Sequence, residues 1–332
     1  MWVFMWKLLK HIWKKEEKPS FVKQFVSHAL ENPYLIEDEA ISLYEVEFLN
    51  HIEIETCPHC QKKRIIKYGK YKNGIQRYQC KKCHKIFYPL SKTIFDSKKK
   101  SLVKWIHYLV YLFSSCSNER NLKNCLNIRS TEKYWLMKIF KVLKNCQKDI
   151  ILEDNVCFKI VPFLEIESNQ YTNRKSKKQE EKKDKMGVIL AIDNHQHFFF
   201  KVIRLRSSVD CIWVATKNHI RRFSKIIYSE ERYCKGLICR LHLKSKVYKK
   251  EKLNGKVNPI YKVLYLKSLL GIFLKEHQGK YDIDNLQDWM NLFWFIISSS
   301  DDMADKIVEF INLSLITHRK MKYRDIMRKS HF

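Results

Sequence analysis

The sequence predicts a multi-domain α/β protein, and three observations carry that expectation. Two Cys-x2-Cys pairs sit in a stretch of short alternating segments and turns, apolar residues return at helical spacing from Ser101 to about Lys144, and from Val156 onward strand and helix patterns succeed one another. A chain of 332 residues can hold one large core preceded by one or two small modules, so two or three domains are expected.

Residues 1–50 read as a helical lead-in. Met1 to Lys15 (MWVFMWKLLKHIWKK) mixes aromatic, aliphatic and Lys residues with no small-residue cleavage site after it, which predicts an amphipathic helix and not a signal peptide. Packing on the protein's own core and a membrane-surface or partner role are the two readings of that helix. Residues 19–56 give two short helical pieces split at Asn32-Pro33 and end in the alternating HIEIE.

Residues 51–97 form a compact β module, with Lys72-Asn73-Gly74 as the turn between IIKYGKY and IQRYQC. Within 98–150, Asn118 to Leu126, then Asn127-Ile128, then Ser130 to Leu143 read as helix, tight connection and capped helix, a helix-turn-helix pattern.

Residues 151–300 supply the α/β part. The order is strand (VCFKIVPFLEI), charged loop (Ser168 to Lys185), strand (GVILAI), turn (DNHQH), strand (FFFKVIRL), helix (Asp210 to Phe223), strand (KIIYS) and further helices, which predicts a mixed sheet. Residues 301–332 read as a helical basic tail. Leu102 to Phe113 and Leu286 to Ile297 are both too short for a spanning helix and carry polar or charged positions, so a soluble cytoplasmic protein with no membrane partner is expected.

The chain carries 64 Lys+Arg against 35 Asp+Glu, a formal charge of +29, and a surface of that sign attracts polyanions. Codon bias in an AT-rich genome enriches Lys, Ile, Asn, Phe and Tyr without any such selection, but it does not explain why the basic residues cluster. Eleven cysteines, four of them in two close pairs, fit reduced thiols and one metal site better than a disulfide framework.

Cys57-x2-Cys60 and, 19 residues later, Cys80-x2-Cys83 are spaced to put four thiolates at the corners of a tetrahedron suited to Zn2+. A module this small has too little core to fold unaided, so the zinc is expected to be structural, with no open position for a catalytic water. His59 and His84, beside the knuckles, are expected to be surface or supporting residues and not ligands.

Fifteen Lys or Arg and a single acid, Asp96, lie between Cys57 and Lys104, with Tyr68, Tyr71, Tyr78, Phe87 and Tyr88 interleaved. Such a module suits phosphate contact and stacking, and Lys62, Arg64, Lys67, Lys70, Arg77 and Tyr78 are the expected DNA-binding residues. In the helix-turn-helix, Arg129, Lys133, Tyr134 and Lys138 are expected near the major groove, and Trp135, Leu136 and Ile139 in the core.

The residues CPHC, then YGKYKNGIQRYQCKKCHKIFYPLSKTIF, then Lys104-Trp105, resemble bacterial insertion-sequence transposases that begin with a zinc ribbon. The resemblance continues through STEKYWLMKIF, GVILAID, KNHIRRFSKIIYSEERY and NPIYKVLYLKSLLGIFLKEHQG, and covers most of residues 50–297. It implies a ribonuclease-H-like catalytic domain over 151–300, double-stranded DNA at transposon ends as partner, a homo-oligomer, and a place on the bacterial nucleoid. It also implies two Mg2+ ions held by acidic residues, which activate the strand-cutting and strand-joining phosphoryl transfers.

The catalytic part of the pattern is not kept. Where the family's first strand carries an acid, this chain reads Lys159-Ile160-Val161-Pro162-Phe163; where the fourth strand ends in a second Asp, Ser229 stands; the family's Asn position falls on Tyr261, with Lys267 in step. Glu165, Asp193, Glu230 and Lys267 are the remaining catalytic candidates, beside Glu167 and Glu231, and Mg2+ is expected only if catalysis survives. Three functions follow: an active transposase with a shifted acidic cluster, a catalytically inactive relative that regulates by binding DNA, or a zinc-ribbon RNA-binding protein.

Overall fold

The computed structural model describes residues 21–31, 39–96, 101–114, 132–163, 186–204, 209–228, 234–247, 260–277, 281 and 284–317. Two compact units divide the chain, one made of residues up to Val142 and from Ile297 onward, the other of Leu143–Ile296. The first begins with α1 (Phe21–Glu31), α2 (Glu39–His51), β1 (Ile65–Lys70), β2 (Gln76–Cys80), β3 (Ile86–Phe87), α3 (Leu102–Phe113) and α4 (Glu132–Leu143). The second holds β4 (Asn155–Pro162), β5 (Met186–Ile192), β6 (Phe198–Arg204), α5 (Val209–Thr216), β7 (Lys225–Tyr228), α6 (Cys234–Leu241), β8 (Lys244–Val247), α7 (Ile260–Glu276) and α8 (Leu286–Ser298). The chain then returns to the first unit as α9 (Met303–Thr317).

In the first unit, α1 packs on α2, α3 and α9. The helix expected in the basic tail is part of this core, since its Ile307, Phe310 and Ile311 are buried and Phe113 meets Phe310 edge-on at 5.7 Å. The start of α3 is fixed twice: the Ser101 side chain accepts from the Lys104 N–H, and the Leu102 N–H donates to Glu45 Oε1 at 2.9 Å. Trp105 of α3 stacks on Trp135 of α4 at 4.0 Å with nearly parallel rings, and Trp135, Leu136 and Ile139 are buried, as the helical spacing predicts. The first helix of the expected helix-turn-helix and Arg129 lie outside the described residues.

The second unit is built on a five-stranded sheet in the order β6-β5-β4-β7-β8. β4, β5 and β6 form an antiparallel meander, while β4-β7 and β7-β8 are parallel, with α5 and α6 in the connections. The sheet is thus mixed, as the strand and helix order implies; β8 is a strand that the pattern KSKV did not announce, being short and exposed. Val156, Phe158 and Ile160 face a core that also takes Ile212 of α5 and Leu237 of α6. On the sheet's other side α7 packs against β4 and β5.

β6 is an edge strand, and its outward backbone groups are covered by side chains. Phe200 N–H donates to Gln147 Oε1 at 2.7 Å, Val202 N–H to Gln287 Oε1 at 2.9 Å, and Trp294 Nε1 to the Phe198 carbonyl at 2.8 Å. An edge satisfied in this way offers no template for a foreign strand.

Candidate metal centre and nucleic-acid interface

The two cysteine pairs fold into matching turns. Gln61 N–H donates to the Cys57 carbonyl and His84 N–H to the Cys80 carbonyl, both at 2.8 Å; Cys57 N–H and Cys80 N–H return to the carbonyls of Lys62 and Lys85. The residue after each pair, Gln61 (φ 57) and His84 (φ 58), takes the left-handed conformation that turns the chain back. Antiparallel pairing of β1 with β2, including Ile65 opposite Cys80, brings the two turns together.

All four sulfurs lie within 4.8 Å of one another, with Cys57 to Cys83 at 3.7 Å and Cys60 to Cys80 at 3.5 Å. A tetrahedron with Zn–S bonds of about 2.3 Å has edges of about 3.8 Å, so the donor set fits Zn2+ in number, chemistry and spacing. Burial pushes the Cys57 thiol up, whereas the Cys83 backbone N–H, directed at its sulfur, holds Cys80 below the usual thiol range. Neither His59 nor His84 belongs to the cluster; His59 sits edge-on to Phe87 at 6.3 Å.

The core under the metal site consists of Cys57, Tyr78, Cys80 and Phe87, with Ile54 and Ile65 packed against it. Ile54 explains the alternating HIEIE, which is not a strand here. Asn50 at the end of α2 braces the hairpin, donating to the Gly74 carbonyl at 3.1 Å and accepting from the Gln76 N–H at 2.8 Å. Gly74 is required at this turn, because its φ is +84 and a Cβ would stand 3.2 Å from Val46 Cγ1.

Lys62, Arg64, Lys67 and Lys70 are exposed on or next to β1. The Arg77 guanidinium lies over the rings of Tyr68 and Tyr71, at 5.7 and 5.3 Å. Asp96, the single acid between Cys57 and Lys104, accepts from the Tyr88 hydroxyl and the Lys92 N–H and so serves a turn of its own.

Two of the expected DNA-binding residues are corrected. Tyr78 is buried and stacked on Phe87 at 5.9 Å, because it shares the inward face of β2 with Cys80. Lys138 is only 4% exposed; its Nζ donates to the Ile94 carbonyl at 2.7 Å and lies over the rings of Tyr134 and Trp105. On α4 this leaves Lys133, Met137 and Lys141 as the stripe with access to solvent, with Tyr134 half-buried.

Asp193 is likewise not a free carboxylate. It is 1% exposed, and it accepts from the His197 N–H at 2.9 Å and from the Glu153 N–H at 3.4 Å, closing the β5-β6 turn. In register, Ile192 at the end of β5 pairs with Cys157 and Tyr228 at the end of β7 pairs with Phe158, on either side of β4. Glu165 and Glu230 lie outside the described residues, and Lys267 is half-buried on α7.

Ile66 and Ile86 were missed in the sequence. They flank Gln79 across the ribbon sheet and are exposed, on the face opposite Tyr78 and Cys80. The signal was strand parity: once Cys80 and Tyr78 are known to point inward, Arg77 and Gln79 must point out.

The chain matches no protein-family model, no curated protein and no solved structure. No helix among the described residues is long and apolar enough to cross a membrane.

Proposed function

We propose that this chain is a DNA-binding protein of the insertion-sequence transposase type, whose zinc ribbon grips DNA and whose second unit descends from a ribonuclease-H-like catalytic domain. One observation carries the reading: a four-sulfur cluster fit for Zn2+ holds a hairpin on which Lys62, Arg64, Lys67 and Lys70 are exposed on or next to β1. A rigid cationic strand can displace counterions from the DNA backbone, which is where most protein–DNA affinity arises. The sheet order supports the rest, since a three-strand antiparallel meander whose first strand also pairs with a parallel fourth is the arrangement a ribonuclease-H-like domain has.

The catalytically inactive alternative is favoured by a specific observation. β4 carries no carboxylate from Asn155 to Pro162, and Asp193, the one described acid offered in exchange, is committed to its own turn. In this reading the protein occupies transposon ends without cutting them, and Mg2+ has no part in it.

Two measurements on the full chain test the proposal. Affinity for duplex DNA carrying the element's own ends is measured across a salt series, against structured RNA at matched salt; the expected result is a preference for the duplex and a steep fall with salt. A strand-nicking assay with Mg2+ or Mn2+ then separates the readings: no cleavage supports the inactive protein, and metal-dependent cleavage establishes an active one. Equal or tighter binding to RNA overturns the transposase reading altogether.

A further inference from the structure

The outer face of the ribbon sheet is apolar and aromatic although its surroundings are cationic. Pairing puts Ile66, Gln79 and Ile86 in one row across the three strands. The next row holds Tyr68 and Arg77, with Tyr71 closing over the same guanidinium. Ile66 is 37% exposed, Ile86 44%, and both tyrosines 43%. Gly69 (φ +68) makes this possible: the register of β1 against β2 shifts between Lys67 and Lys70, and a Cβ at Gly69 would crowd the Arg77 guanidinium.

Phosphate contact does not explain this face. Lysines on β1 and after the knuckles suffice for a backbone track, and isoleucines gain nothing from a phosphate. A DNA duplex keeps the π-faces of its bases stacked on one another and shows a protein only edges and backbone. Its major groove takes a helix or a two-stranded ribbon. Unpaired nucleotides present free base faces, and exposed aromatic rings on a basic sheet bind them by stacking without regard to sequence.

We infer that this face, centred on Tyr68, Tyr71 and Arg77 with Ile66 and Ile86 beside them, is a stacking platform for unpaired nucleotides. The occupant is argued from charge: the segment from Cys57 to Lys85 carries many Lys and Arg and no Asp or Glu. The cation–π contacts keep the guanidinium plane beside the rings, ready for a phosphate between two stacked bases. The inference shares with the DNA-binding proposal only the basic surface; it adds the strand state of the ligand.

The test uses the full-length zinc-loaded chain and two fluorescent probes at one salt concentration, a short oligo-dT strand and a duplex. Wild type is expected to bind both. The double variant Tyr68→Ala/Tyr71→Ala should lose about tenfold or more in affinity for oligo-dT, with duplex affinity changed by less than about twofold and zinc content intact. Tyr68→Phe/Tyr71→Phe, which keeps the rings, should bind oligo-dT as wild type does.

Equal losses for both probes, no loss for oligo-dT, or wild-type failure to bind oligo-dT overturns the platform while leaving duplex binding standing. Oligo-dT binding that needs the tyrosines, with no duplex binding, keeps the platform and sinks the proposed binding of transposon ends. If labelled poly-glutamate binds as tightly, with the same need for the tyrosines, the face is a dock for acidic polypeptides and the inference fails.

Discussion

Lys138 on α4 donates from Nζ to the carbonyl of Ile94, 2.7 Å away. The bond joins the last turn of the ribbon's polypeptide to a helix whose sequence suggested a DNA-reading surface. Truncating this side chain to Ala leaves the Ile94 carbonyl without its donor and removes the cation from the faces of Trp105 and Tyr134. Lys138→Ala is expected to cost about 2 kcal/mol or more in urea unfolding, while the affinity of the folded fraction for DNA stays within about twofold. A selective loss of affinity at unchanged stability would return Lys138 to the DNA interface.

Metal removal should act on folding and binding together. Structural zinc contributes on the order of 10 kcal/mol in zinc-finger peptides, far more than a core of Cys57, Tyr78, Cys80 and Phe87 can supply. Cys80→Ser, or chelation of the wild type, is expected to unfold the ribbon and abolish specific DNA binding. Elemental analysis should give one zinc per native chain, and amide exchange should show β1 and β2 unprotected in the variant. A Cys80→Ser protein with protected strands and wild-type affinity would refute the structural metal.

Asp193 tests the question of catalysis from the opposite side. Asp193→Ala removes the acceptor used by the N–H groups of His197 and Glu153, and should destabilise the second unit by about 1–3 kcal/mol. Mg2+ titration followed by calorimetry is expected to be the same for variant and parent. A metal-binding signal present in the parent and lost in Asp193→Ala would restore this residue to a catalytic role.

Glu45 gives a pH dependence with a definite sign. Burial raises its carboxyl above the ordinary value of 4.5, and the Leu102 N–H it accepts from opposes that rise only in part. The folded state therefore holds this proton more tightly than the unfolded one. The cost of keeping Glu45 charged is present in full above the folded pKa and disappears as the pH falls towards 4.5. Glu45→Gln keeps an acceptor for Leu102 without the charge, so it should be more stable than wild type at neutral pH, with the difference shrinking in acid. Thermal melts of both proteins across that range check it; a gap that widens in acid would contradict the assigned cause.

Parts of the fold were legible because local chemistry fixes them. Two Cys-x2-Cys pairs around Lys72-Asn73-Gly74 leave little choice but a hairpin that gathers the four sulfurs, since the spacing sets where thiolates can meet and the glycine sets where the chain turns. The apolar runs of β5 and β6 and the turn at Asp193 were equally readable, each being a pattern within a few residues. The strand β8 was not, because KSKV is too short and too polar to show a period.

By itself, then, the sequence determined the ribbon with its four clustered cysteines, the basic charge, the mixed sheet, and the absence of any acid from the β4 stretch. Only the tertiary structure decided which charged groups are free to act: Lys138 and Asp193 look available in a string of letters but are consumed by Ile94 and by a turn. It also placed α9 in the first unit and turned Tyr68, Tyr71, Ile66 and Ile86 to solvent. The reason is physical. Ligand spacing and strand alternation are properties of neighbours in the chain, whereas burial depends on which distant segment comes to cover a side chain, and no local pattern encodes that partner.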